Sequence, residues 1–100
     1  MLTLPSVQPL ARQPDFTSYL ATYLRPSNSV VVHAEGGKLF VQERQNAGRA
    51  GTDWPVAFFG PDRAVITEGA DAGQTIEFVR DSAGHVGWVR VVGRVAARGP

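Results

Sequence analysis

The chain has 100 residues, of which 43% are hydrophobic and 9% aromatic, so it can form one domain with a modest core. Ten basic and nine acidic side chains give a formal net charge of +1, which argues against nucleic acid or an anionic membrane as the main partner. Cysteine is absent, which excludes disulfides, thiolate metal sites and thiol nucleophiles but specifies no compartment.

The chain begins with a segment that predicts an extended arm or linker, residues 1–14, because Pro5, Pro9 and Pro14 interrupt regular structure. This segment lacks a basic start, so it does not predict a signal peptide. No apolar run approaches the roughly 18 residues of a membrane-spanning helix, so we expect no membrane span. Residues 15–100 predict a single folded domain.

One short helical turn is predicted after the arm. Asp15 can accept hydrogen bonds from the first free amides, and Phe16, Tyr19 and Leu20 fall on one face at helical spacing. A helix of this length is not stable alone. We therefore expect it to cover one end of a sheet or barrel.

Short strands separated by turns follow the helical turn. In the middle of the chain they are predicted at residues 21–24, 29–34, 38–44, 54–59 and 64–67. Along residues 38–44, Leu39 and Val41 lie on one face while Phe40 lies on the other. The polar, glycine-containing residues 45–53 predict a long loop.

The clearest pattern is a hairpin in the last third of the chain. Ile76 and Phe78 alternate with their neighbours, as do Val86 and Trp88, and residues 81–84 between the two runs suit a tight turn. This spacing of two is typical of strands that bury one face.

With a further strand at residues 94–98, the chain predicts seven or eight short strands joined mostly by tight turns. The sequence shows neither a long helical pattern nor β-α-β spacing. The predicted fold class is all-β: a small antiparallel up-and-down barrel, or a strongly curved sheet, of about eight short strands with a short N-terminal helical turn.

Motifs along this pattern resemble a known family. They occur in this order: Asp15-Phe16-x-x-Tyr19-x-x-x-Tyr23, Val30-Val31-Val32, Gly37-x-Leu39-x-Val41, Ile76-Glu77-Phe78-x-Arg80-Asp81-x-x-Gly84-x-Val86 and Ala96-Ala97-Arg98. Over residues 15–98 they resemble the lipocalin-like domain that follows the catalytic domain in serine hydrolases of the β-lactamase and penicillin-binding-protein type. The glycine usual between the two tyrosines is matched only loosely, by Ala21.

The resemblance implies a closed or nearly closed barrel with an accessory role. In that family the domain carries no catalytic residues, and it mediates oligomerisation or partly covers the entrance to the neighbouring active site. The expected partners are a serine-hydrolase catalytic domain and, through an exposed strand edge or apolar patch, a second copy of the chain. The alternative is a stand-alone lipocalin-like module that binds a small apolar ligand.

The chain is not expected to be an enzyme by itself. The catalytic domain of that family uses Ser-x-x-Lys, and Glu35 stands three residues before the only lysine, Lys38. An acid–base site built from Glu43, Glu77 or Asp81 is the least expected alternative, because strand surfaces and turns account for these residues.

Metal and phosphate sites are not expected either. The two histidines, His33 and His85, lack partners at a metal-ligand spacing, so we expect no metal and no cofactor. Gly36-Gly37 and Gly84-x-x-Gly87 predict hairpin turns and not phosphate loops, because neither opens a helix.

Large side chains on the predicted strands are the remaining site candidates. A ligand cavity inside the barrel would be lined by these residues: Phe40, Trp54, Phe58, Phe78, Trp88 and Arg90. The competing interpretation is a core filled by its own side chains, which short strands favour. Arg80 and Arg90 share the alternation of Trp88, which would turn their side chains inward. A buried arginine would need an anionic partner, so a position at the barrel rim is the simpler expectation.

Overall fold

Alternating apolar and polar side chains close this chain into a β-barrel. The computed structural model describes residues 8–26, 28–45, 50–91 and 93–99. One 3-10 turn (Thr17–Tyr19) precedes eight strands: β1 (Ala21–Leu24), β2 (Asn28–Glu35), β3 (Lys38–Gln45), β4 (Ala50–Gly60), β5 (Arg63–Ile66), β6 (Thr75–Arg80), β7 (Val86–Val91) and β8 (Arg94–Arg98). Each strand pairs antiparallel with the next, and β8 pairs with β1. The predicted all-β, up-and-down barrel is confirmed.

The barrel interior is built from alternate residues of the strands. In β3, Leu39 and Val41 are fully buried while Phe40 between them is half-buried on the outer side, as the alternation predicts. In β6, Ile76 and Phe78 are buried in the same way. Removal of this apolar surface from water is the main force that stabilises a barrel of this size.

The 3-10 turn covers one end of the barrel, called here the plug end, as predicted. The Asp15 carboxylate accepts hydrogen bonds from the Thr17 amide (2.8 Å) and hydroxyl (2.6 Å), which caps the turn. The Tyr19 ring lies 4.7 Å from the ring of Phe58, between centroids, and fills this end. The prediction that Leu20 shares the buried face is wrong: it is 37% exposed, because the backbone leaves the turn there in an extended conformation.

Strand β4 begins earlier than the sequence predicts. Part of the predicted loop 45–53 belongs to β3 and β4, and residues 46–49 lie outside the described residues. Between the pairs Gln42–Asp53 and Arg44–Ala50, two residues of β4 lie opposite one residue of β3, and this β-bulge in β4 lets the polar stretch pair across the two strands. A Cβ atom at Gly51 would lie 2.6 Å from the Glu43 carbonyl oxygen, so this glycine permits close strand approach instead of a turn.

Closure of the barrel pairs every described strand on both sides. β1 and β8 meet through few residues, Tyr23 opposite Arg98 and Leu24 opposite Ala97. Within the described strands there is thus no edge strand, and the exposed strand edge expected for contact with a second copy is not present.

The N-terminal segment binds the backbone of β4 at the end of that strand that β3 does not reach. β3 pairs with β4 only as far as Val56. Beyond it, the Gln13 carboxamide donates to the Phe58 carbonyl (3.0 Å) and accepts from the Phe58 amide (2.7 Å). The Leu10 amide donates to the same carbonyl (2.8 Å). A side-chain amide thus takes the place of a neighbouring strand and satisfies both backbone groups.

We predict that Gln13→Ala lowers the free energy of unfolding by about 1–2 kcal/mol, because the part-buried Phe58 amide loses its partner. Gln13→Glu is expected to be at least as destabilising, since a carboxylate cannot donate to the Phe58 carbonyl. Gln8→Ala, in the same exposed segment, is the control. Urea unfolding followed by tryptophan fluorescence measures all three variants, and a Gln13→Ala chain as stable as wild type would contradict this role.

Candidate functional site

Some of the side chains predicted to line a cavity lie in the barrel core. Phe58 and Phe78 are buried, and their ring centroids are 5.8 Å apart. Trp54 is also buried, and its indole nitrogen donates to the Asp71 carboxylate (3.0 Å). Tyr23 is fully buried beside them and donates to a carbonyl of the 3-10 turn (2.9 Å). Burial raises the pKa of Tyr23 to about 12, so this phenol stays neutral.

The other candidates, Phe40, Trp88 and Arg90, lie on the outer side of the barrel. The inward face considered for Trp88 is wrong, and Arg90 lies on the outer wall beside Glu77 and not at the barrel rim, where it was expected. A register shift at Val79 inserts an extra residue, Gly87, into β7 and reverses the alternation that follows. Trp88 is consequently 38% exposed.

A hydrogen-bonded cluster joins three elements at the plug end. The Tyr19 hydroxyl donates to Asp62 Oδ1 (2.7 Å), while Arg80 donates through Nε to Oδ2 (2.9 Å) and through Nη2 to Oδ1 (3.0 Å). The hydrogen bonds from Arg80 hold the pKa of the Asp62 carboxyl below its usual value. Arg80 therefore lies at the barrel rim, as expected, and its carboxylate partner is Asp62.

A groove of about 600 Å³ lies beside this cluster, between the β6–β7 turn, the start of β7 and the end of β8. Trp88, His85 and Arg98 are among its lining residues. The Arg98 guanidinium donates to three backbone carbonyls, and no described carboxylate forms an ion pair with it. Asp81 also lines the groove, and a hydrogen bond from the His85 amide lowers the pKa of its carboxyl. The lining thus offers a cation beside an exposed indole.

Next to the groove lies an apolar stretch of the outer wall, called here the seam face, made of Leu24, Trp88, Val95 and Ala97. Ala97 on β8 is paired with Trp88 on β7 and with Leu24 on β1, so the three side chains form a row across the strands. Val95 lies two residues along β8 on the same side. Exposed fractions of 48% for Leu24 and 49% for Val95 leave this row open to solvent.

The opposite end of the barrel contains a buried arginine that the sequence does not reveal. The Arg25 side chain is only 4% exposed and lies 3.5 Å from Glu43, between Nη1 and Oε2. Its Nη2 donates to the Arg94 carbonyl (3.1 Å), and Asn28 donates to Glu43 (3.3 Å). The sequence places Arg25 beside a proline in a turn, which predicts exposure; the barrel end folds over it instead.

Histidines and carboxylates do not assemble a metal site within the described residues. His33 contacts Asp53 (2.9 Å) and stacks on Phe40 on the outer wall, with ring centroids 5.4 Å apart. Phe40 therefore packs in a cross-strand cluster on the barrel surface and does not line a cavity.

The carboxylates considered for acid–base chemistry have different surroundings. Glu43 lies with Arg25 at the end opposite the plug, and Glu77 pairs on the outer wall with Arg90 (2.9 Å). Asp81 accepts hydrogen bonds from amides of its own turn. Each of the three therefore has a structural partner of its own.

Comparisons with known proteins give no family. No protein-family model matches the chain, and no curated protein matches it. Over the ranges that the structure describes, none of the helical segments has the length and apolar character needed to cross a membrane. The serine-hydrolase association therefore stays an expectation from the motifs.

We predict that Asp62→Asn destabilises the fold at neutral pH, because the amide cannot offer Arg80 an anion although asparagine tolerates the left-handed backbone at this position (φ 58°). The folded-state pKa of Asp62 is lowered, so its carboxylate stabilises the fold above about pH 4. This contribution disappears as the pH falls through the lowered pKa.

The measurement is urea unfolding of wild type and Asp62→Asn at neutral pH and in acid, with the exposed Glu68→Gln as control. The difference in unfolding free energy between wild type and Asp62→Asn should shrink in acid. A difference independent of pH would show that the charge of Asp62 does not stabilise the plug end.

Proposed function

We propose that this barrel is a non-catalytic accessory domain of a serine-hydrolase-like protein, which acts by docking on its neighbour for assembly or to shape access to the active site. The motif order between Asp15 and Arg98 supports the association with serine hydrolases. The observation that carries the docking role is Trp88, an exposed indole on the outer wall of a barrel whose interior is filled. Exposed aromatic and aliphatic clusters of this kind are typical of protein–protein contacts.

The alternative, binding of a small apolar ligand inside the barrel, has less support. It requires an interior cavity of about 300 Å³ or more. In the described barrel the interior is packed by five aromatic side chains, those of Tyr19, Tyr23, Trp54, Phe58 and Phe78. A pocket of about 210 Å³ beside Phe16 is smaller than this.

We predict that the reading frame containing this chain encodes Ser-x-x-Lys upstream of Met1. The parent protein is expected to hydrolyse a chromogenic ester, whereas the 100-residue chain is not. Deleting residues 15–100 from the parent should change the number of subunits in its native assembly or its KM for a bulky substrate, because the barrel shapes assembly or access and supplies no nucleophile.

Steady-state kinetics and native mass spectrometry of the parent, with and without the barrel, measure these effects. A parent whose Ser-x-x-Lys serine is replaced by alanine is the control for background hydrolysis. A reading frame that starts at Met1 and stops at Pro100 would contradict the proposed function, as would identical kinetics and an identical number of subunits after deletion of the barrel.

A further inference from the structure

The end of the barrel opposite the plug is closed by the side chain of Arg25. Its Nη2 donates to the carbonyl oxygens of Val91 (3.4 Å) and Arg94 (3.1 Å), where β7 ends and β8 begins. Its Nη1 lies 3.5 Å from Glu43 Oε2 on β3. Three strands, β8, β1 and β2, separate β7 from β3 around the wall. The guanidinium therefore links β3 to strands with which β3 does not pair.

This arginine is buried without a full set of partners. Its side chain is only 4% exposed, yet Nε and Nη1 have no hydrogen-bond acceptor. Asn28 is also buried, and its Oδ1 has no donor although its Nδ2 donates to Glu43 Oε2 (3.3 Å). A guanidinium does not lose its charge by deprotonation, so its burial stays costly unless an anion offsets it. Arg25, Asn28 and Glu43 are called here the latch.

Glu43 is the carboxylate that offsets the charge of Arg25. Among the described residues no other aspartate or glutamate forms an ion pair with it. The adjoining strand ends add two more cations, Arg94 on β8 and Arg44 on β3, and the Arg44 Nε donates to Gln42 (3.0 Å). Neutralising Glu43 therefore leaves a buried cation without an anion.

The latch lies beside the closure of the barrel. β1 pairs with β8 through two residue pairs, and Arg25 directly follows β1. At the plug end the closure is also supported by Arg98, which donates to the carbonyls of Ser18 and Leu20. At the other end the Arg25 side chain ties the β1–β2 turn to the start of β8. Release of Arg25 therefore weakens the closure from that end.

We propose that the latch is an acid-sensitive switch of barrel closure. At neutral pH the Glu43 carboxylate keeps Arg25 in the barrel mouth. Protonation of Glu43 in acid removes the anion beside the guanidinium, and Arg25 moves into water, where its free N–H groups are hydrated. The β1–β8 pairing then opens from this end and leaves a curved sheet. The switch requires no second domain, so it stands apart from the accessory role.

The Arg25 Nε–H proton reports the latch directly, because a guanidinium that is 4% exposed exchanges this proton with water slowly. NMR of the isotope-labelled chain should show the exchange accelerate by at least about tenfold in Glu43→Gln at neutral pH. Glu77→Gln, which removes the carboxylate of the exposed pair with Arg90, is the matched control and should leave the exchange unchanged. An Arg25 proton as protected in Glu43→Gln as in wild type would overturn the proposal.

Lowering the pH tests the switch in the unaltered chain. After correction for the intrinsic exchange rate at each pH, the amides that join β1 to β8 should lose at least about tenfold more protection than those that join β2 to β3. Equal loss in both sets would show that the closure has no switch of its own, and it would contradict the proposal.

Arg25→Met separates a switch from a merely structural contact. Methionine fills the barrel mouth without needing an anion, and the unpaired Glu43, 27% exposed, can be hydrated. The β1–β8 amides of this variant should stay protected and lose their response to acid.

Any acid response of the Asp62–Arg80 pair at the plug end is common to Arg25→Met and wild type, so their difference isolates the latch. Closure that still opens in acid in Arg25→Met would rule the switch out. This comparison does not use Glu43→Gln, so it decides the proposal even where that variant fails to fold.

Discussion

The contact of Tyr19 with Asp62 and Arg80 is the one on which the plug end depends. It joins the 3-10 turn, the β4–β5 turn and the end of β6 through a single carboxylate. The turn is too short to hold its shape alone, and its aromatic ring must stay above Phe58 to exclude water from the core. A fixed anion therefore positions an apolar plug, and the filled interior follows from that placement.

Local patterns were sufficient for most of the barrel. The β2–β3 hairpin could be predicted because alternation places Leu39 and Val41 on one face, and because Gly36 and Gly37 adopt the positive φ angles of 57° and 79° that the turn requires. The start of β4 could not be predicted. Glycine is a residue type typical of loops, so Gly51 suggests a loop in the sequence. Only the close approach of β3 in the structure shows that Gly51 belongs to a strand. Closure between β1 and β8 depends on residues at opposite ends of the sequence, which no local pattern encodes.

The candidate site was less predictable than the fold, because a β-bulge changes which residues of a strand face the barrel interior. In a strand, one inserted residue moves every later side chain to the other face, and Gly87 is such a residue. Trp88 was therefore correctly singled out as a large side chain but assigned to the wrong side. The buried position of Arg25 and the pairing of Asp62 with Arg80 each arise from contact between a residue next to a turn and a residue of a strand elsewhere in the sequence. Their residue types hint at ion pairs, but their spacing in the sequence does not indicate the partners.

Closure through so few residue pairs has a consequence for how the barrel forms. Neighbouring strands are joined by short turns, whereas Tyr23 and Arg98, which pair across the closure, are separated by nearly the whole length of the domain sequence. Loop-closure entropy opposes that encounter more than any other pairing in the barrel, so we expect it to form last during folding. The same pairing should open first in the native state, as a breathing motion that leaves β2 to β7 as a curved sheet. Hydrogen exchange would report this as weaker protection of the amides that join β1 to β8 than of those that join β2 to β3.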